Sequence, residues 1–164
     1  MCNPSLFSTD SMDPDFRRLA AELEQELYIR DGDTADAQAE LNRIEYLPVV
    51  IVAYCGQEAV ACGGYQVYEP GVVELKRMYV KPAFRRHRIA TAILQALESL
   101  AGREKYHTVL LETGRNQPEA VCLYEERGYT RISRFGKYRQ NPNSVCLGKV
   151  LRTGGRKADD PARP

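Results

Sequence analysis

The sequence predicts a mixed α/β (α+β) fold: a mostly antiparallel sheet with helices on both of its faces. Three observations lead there. Residues 13–32 repeat their apolar positions at helical spacing, residues 48–80 switch to a period of two, and the remainder alternates helix, strand, helix and two strands. At 164 residues the chain suits one domain able to bury a core without disulfide or metal support. We read a flexible N-terminus over 1–13, a single domain over 14–152 and a disordered, breaker-rich tail over 153–164.

In "DPDFRRLAAELEQELYIRDG", Phe16, Leu19, Leu23 and Leu27 form one helical stripe; Asp15 is the expected cap and Gly32 the stop. "TADAQAELNRIEYL" reads as a second, shorter helix or an extended linker. "PVVIVAYC" and "VACGGYQVYE" form a hairpin across "GQEA", and "PG" turns the chain into a third strand, "VVELKRMYV". On that strand Glu74 and Met78 share a face by period two. A helix follows "RRHR", with Ile89, Ile93, Leu97 and Leu100 on one stripe. "HTVLLET" is a short strand, and "QPEAVCLYEERG" is a helix with Pro118 at its first position and Gly128 past its end. "YTRISRFGKY" and "SVCLGKVL" are the last two strands.

Composition narrows the function classes. A net charge of +1 is too small for a general nucleic-acid binder, and the basic residues lack neighbouring aromatic platforms. No apolar run is long enough to span a membrane, and "MCNPSLFSTDSMDPDF" has neither the basic nor the apolar region of a secretory signal. Five scattered cysteines argue against a disulfide framework and for a reducing, cytoplasmic setting. With no Cys-x-x-Cys pair and two histidines, no metal site is expected.

The turn "RRHR" is the unusual feature, because it puts cations at a helix end that is already positive. Free backbone amides at a helix start bind anions, and arginine forks bond two phosphate oxygens at once. A phosphorylated small molecule or cofactor fits; a solvated basic loop is the alternative.

Residues 46–151 resemble the GNAT superfamily of N-acetyltransferases. The family signature is Arg or Gln, two residues, Gly, one residue, then Gly or Ala, between a strand and a helix. "MYVKPAFRRHRIATAIL" matches it with Arg85 first and Ala90 last, and "QPEAVCLYEERGY" is similar to the family's later LYxxxGY segment. The resemblance implies acetyl-CoA as co-substrate, held in a splayed parallel strand pair. Its pantetheine arm would lie along Met78, Tyr79 and Val80. Its diphosphate would lie on the turn formed by Arg85, Arg86, His87, Arg88, Ile89, Ala90 and Thr91. Arg86 and Arg88 stand where the family usually has glycine, and a near-helical turn is expected to accept them. Gln117 stands where the family often has Asn; its amide is either a ligand contact or a cap-like group before Pro118.

Amine acetylation needs a proton acceptor, a donor to the thioester oxygen and a proton donor to the departing thiolate. The resemblance assigns Tyr124 as the acid; on helical pattern alone it is a core aromatic. Glu74 is the candidate base, acting directly or through water, and its rival reading is a strand carboxylate paired with Lys76. Glu112 is the reserve, and the Val80 amide or a neighbour is the oxyanion donor. Tyr65, Tyr68, Tyr138 and Arg139 are candidates to line the acceptor pocket, with Glu22, Glu24 and Glu26 as a further acidic face. The expected function is transfer of an acetyl group to a primary amine of a small molecule or protein, in a ternary complex, by a monomer or homodimer. The alternative is a catalytically weak or inactive acyl-CoA-binding module.

Overall fold

The computed structural model describes residues 2–32 and 46–152. The expected second helix falls mostly, and the expected tail wholly, outside the described residues. Among them are seven strands: β1 (Ser5–Thr9), β2 (Val49–Cys55), β3 (Glu58–Glu69), β4 (Val72–Val80), β5 (Thr108–Gly114), β6 (Thr130–Ile132) and β7 (Ser144–Val150). Three α-helices join them: α1 (Pro14–Asp31), α2 (Ile89–Arg103) and α3 (Pro118–Glu126). The sheet order is β1-β2-β3-β4-β5-β7-β6, antiparallel throughout except for the parallel β4–β5 pair.

Period two explains the two cores. On β2, Ile51 and Ala53 face α2, while Val50 and Val52 face α1. Helix α2 buries Ile89, Ile93, Leu94, Leu97 and Ala101 against the first face, and α1 buries Phe16 and Leu19 against the second. Each fully buried Leu or Ile contributes about 1.5–3 kcal/mol by burial alone, so these two stripes fix both helices.

Several sequence expectations change here. The α1 cap is Asp13, whose carboxylate accepts the Asp15 and Phe16 amides at 2.9 and 3.0 Å. Asp15 lies inside the first turn, pairs with Arg18 and accepts the Tyr54 hydroxyl at 2.6 Å. Residues 5–9, expected to be loose, add an edge strand along β2, with Ser5 opposite Tyr54. That register brings Cys2 to Cys55, and the two form a disulfide across 53 residues that sequence spacing did not suggest. The strand expected over 129–138 ends at Ile132. Beyond it Gly136 turns with φ +53, and Phe135 and Tyr138 leave the sheet direction to fill a third small core with Cys146.

The most consequential change is a bulge in β4. Tyr65 pairs with Leu75 and Gly64 with Lys76, but Cys62 pairs with Tyr79, so β4 holds an extra residue opposite Gly63. Arg77 absorbs it with φ +59. Faces therefore switch: Glu74 and Lys76 lie on the α1 side, whereas Met78 packs on the α2 side. The expected shared face of Glu74 and Met78 is lost. Gly63 makes room for the switch, since a Cβ there would sit 2.2 Å from the Met78 sulfur.

Candidate active site

Parallel pairing between β4 and β5 covers Val72–Glu74 against Thr108–Leu110 and then stops. Past that point β4 stays with β3 and β5 stays with β7, so the two strands diverge and a cleft opens in the sheet. Leu75 to Met78 form one wall and Leu111 to Thr113 the other; Gln117 with Ala120 and Tyr124 of α3 close one side, and Leu23, Leu27 and Tyr138 the other.

At the end of β4 a short 3-10 turn, Pro82–Phe84, leads to the basic turn. The backbone amides of residues 86–91 donate to no acceptor among the described residues, because regular helical bonding begins with Ala92 on the Arg88 carbonyl at 3.1 Å. Six consecutive free donors at a helix start have the geometry that can hold an anion. The turn is not near-helical as expected. Arg86 and Arg88 both take positive φ, +67 and +59, so these arginines keep a backbone shape that favours glycine. Arg86, His87 and Arg88 are exposed. Arg85 behaves differently. Its side chain bonds the Val80 carbonyl at 2.9 Å and Glu26 at 2.7 Å, and it lies over the Tyr79 ring at 5.8 Å. The Glu26 bond holds the Arg85 guanidinium above its usual pKa. The Arg85 guanidinium is thus already engaged, and the free donors of the turn are backbone amides.

The Lys81 amide bonds the Val60 carbonyl at 2.9 Å, so strand alternation turns the Val80 amide away from β3, toward the open side. Tyr124 is buried within the α2-side core, edge-on to Tyr129 at 5.7 Å, and lines the cleft. Its hydroxyl makes no hydrogen bond to the described residues. Burial raises its pKa, which keeps the phenol protonated. Gln117 is the α3 cap residue by position, yet its side chain makes no capping bond and faces the cleft.

Glu74 does not reach the cleft wall. It is buried, accepting the Tyr138 hydroxyl at 2.7 Å and the Gln66 amide at 3.4 Å, with Lys76 Nζ at 3.6 Å. Lys76 and Tyr138 stand in front of it on the wall, and Lys76 donates to the Tyr138 hydroxyl at 3.1 Å. Burial, and then Glu74, push the Tyr138 phenol pKa up. Glu112 does line the cleft and accepts Ser144 Oγ at 2.5 Å.

Of the candidate acceptor residues, Tyr138 is at the cleft, and Tyr68 packs behind it on Phe135. Tyr65 is in the α2-side core beside Tyr106, away from the cleft, because period two puts it on the wrong face. Arg139 is exposed. Glu22, Glu24 and Glu26 are committed to Tyr79, Arg77 and Arg85, so they tie α1 to β4 and to the turn after it. Lys76 was passed over in the sequence as a mere partner of Glu74. The signal was present: two opposite charges two residues apart in a strand share one face, and a charged pair in a buried strand needs a reason.

Residues 12–129 match the acetyltransferase (GNAT) family. The chain is 33% identical over 102 residues to an IAA acetyltransferase of Azospirillum brasilense, covering 62% of this chain and 67% of that one. A putative acyl-CoA N-acyltransferase from Klebsiella pneumoniae superposes with a TM-score of 0.75 at 31% identity, covering 91% of this chain and 98% of the other. A GNAT family acetyltransferase from Elizabethkingia anophelis, solved with acetyl-CoA bound, shares the fold at a TM-score of 0.65 and 16% identity, over 91% and 99% of the two chains. The chain belongs to the GNAT acetyltransferase family, and is an acyltransferase that draws its acyl group from acyl-CoA.

Proposed function

We propose that this protein moves an acetyl group from acetyl-CoA to a primary amine within a ternary complex. One observation carries the reading. The cleft between β4 and β5 runs beside six free amides at a helix start, and the unbonded Tyr124 hydroxyl sits on its wall. The residues fit the group: a diphosphate suits the amides of residues 86–91 and the exposed arginines, and an extended arm suits the free edge of Met78 to Val80. Gln117 is a further contact with that arm.

When bound, acetyl-CoA supplies an activated thioester carbonyl. The Val80 amide is the donor assigned to the carbonyl oxygen. Tyr124 supplies the proton that the departing sulfur needs. The amine sheds a proton as its nitrogen bonds to carbon and the carbon–sulfur bond breaks. Because Glu74 stands behind Tyr138, it acts as base through the phenol: Tyr138 takes the amine proton and passes its own to Glu74 along the existing 2.7 Å bond. A second reading has one observation in its favour: Glu112 lines the cleft and needs no relay.

Calorimetric titration of acetyl-CoA into the wild type and Arg88→Glu tests the binding half. Micromolar binding that weakens at least tenfold in the variant is expected, and absence of binding at millimolar acetyl-CoA refutes the reading. For the chemical half, Tyr124→Phe and Glu74→Gln are each expected to lower kcat by roughly 10²–10⁴. An intact Glu74→Gln beside a dead Glu112→Gln transfers the base role to Glu112.

A further inference from the structure

Lys76 is 7% exposed, and among the described residues its ammonium meets the Tyr138 hydroxyl and the Glu74 carboxylate. It carries three N–H donors. One reaches the Tyr138 hydroxyl at 3.1 Å, and Glu74 Oε1, at 3.6 Å, lies beyond hydrogen-bond distance. That same oxygen already accepts from Tyr138, and the other carboxylate oxygen faces Gln66. A buried ammonium with an open donor is costly unless another group completes its shell, and this one lies on the cleft wall.

The neighbouring charges specify that group. Lys137 Nζ lies over the Tyr138 ring at 5.6 Å and Lys76 Nζ over the same ring at 5.7 Å, so two cations crowd one aromatic. Arg77, the other cation of this strand, is paired with Glu24 at 2.9 Å. The Glu74 and Glu112 carboxylates accept from the neutral hydroxyls of Tyr138 and Ser144, and Glu74 also faces Lys76 at 3.6 Å. The Lys76 ammonium therefore offers an open N–H donor on the cleft wall, which an anionic group of the substrate can fill.

We propose that the acceptor is an amino carboxylate, an amine bearing its own carboxylate a few bonds away, and that Lys76 receives this carboxylate. The inference rests on the N-acetyltransferase reading above and names its substrate class. Diamines and polyamines leave that donor unfilled, so they are expected to be the poorer acceptors.

The test uses the full chain, acetyl-CoA and thiol release as readout. The twenty free amino acids are compared with their carboxamides, which keep the amine and lose the carboxylate, and with putrescine. The expected result is kcat/KM at least tenfold higher for the best free acid than for its amide. That ratio is expected to fall to about one in Lys76→Met and to persist in Lys76→Arg, which keeps the charge. Amides or putrescine turned over as well as the free acids would overturn the amino-carboxylate assignment while leaving the acetyltransferase reading intact. Acetyl-CoA binding without turnover of any free acid would overturn it too. Failure to bind acetyl-CoA at all overturns the underlying reading instead. The acid-to-amide comparison on the wild type stands even where a Lys76 variant folds poorly.

Discussion

Replacing Arg88 by glycine and, separately, by alanine measures how much strain the basic turn stores. Arg88 sits at φ +59, ψ +22, the left-handed region, with an exposed side chain and no capping bond. A residue with a Cβ gives up about 1–2 kcal/mol there. Both substitutions remove the guanidinium, so the difference between them isolates the backbone. Glycine relieves the strain but loses about 0.4–1 kcal/mol to its freer unfolded chain. Arg88→Gly should then exceed Arg88→Ala in stability by about 0.5–1 kcal/mol, which for a domain of this size is a few degrees in Tm at most. Urea unfolding with a shared m-value reads it directly. Gln95, exposed in mid-α2, is the control: there glycine should be the less stable by about 1 kcal/mol. Both Arg88 variants keep the amide, so their affinities for acetyl-CoA should agree within about threefold. An alanine variant as stable as the glycine one, with the control behaving normally, would refute the claim that this arginine holds a glycine's backbone.

Two further outcomes follow from particular contacts. Gly71 turns with φ +78, and a Cβ there would sit 2.3 Å from the His107 ring. Gly71→Ala should cost about 1–2 kcal/mol from backbone strain plus the displacement of that ring; in a His107→Ala background the loss should shrink without vanishing, as read by urea unfolding. The second concerns pH. Burial lowers the Lys76 pKa to about 8, opposed by Glu74 and aided by Lys137 and Arg77, with the Tyr138 hydroxyl as direct contact. The cation is the form that binds a carboxylate, so it is present below pH 8 and lost as pH rises through it. The ratio of KM for a free amino acid to KM for its amide should therefore climb above pH 8 in the wild type and stay flat in Lys76→Met.

The sequence by itself determined the order of elements from α1 to β7, because periods of 3.6 and two are local properties of apolar spacing. It also located the basic turn at the helix start, since "RRHR" before an amphipathic stripe needs no tertiary information. The family resemblance placed Tyr124 and Gln117 beside the cleft that the structure shows. Tertiary structure decided what depends on pairing. The bulge at Arg77 comes from the register of β4 against β3, and by inverting the strand face it separated Met78 from Glu74. Edge pairing converted residues 5–9 into a strand and joined Cys2 to Cys55 across a distance that no local rule spans. The left-handed arginines were invisible because side-chain identity argues against that backbone, and only the geometry of the turn imposes it. Glu74 shows the limit most clearly. Its place on the strand was legible, but its retreat behind Tyr138 and the position of Lys76 on the cleft wall depend on a segment 64 residues away folding inward, with the burial of Phe135 and Tyr138.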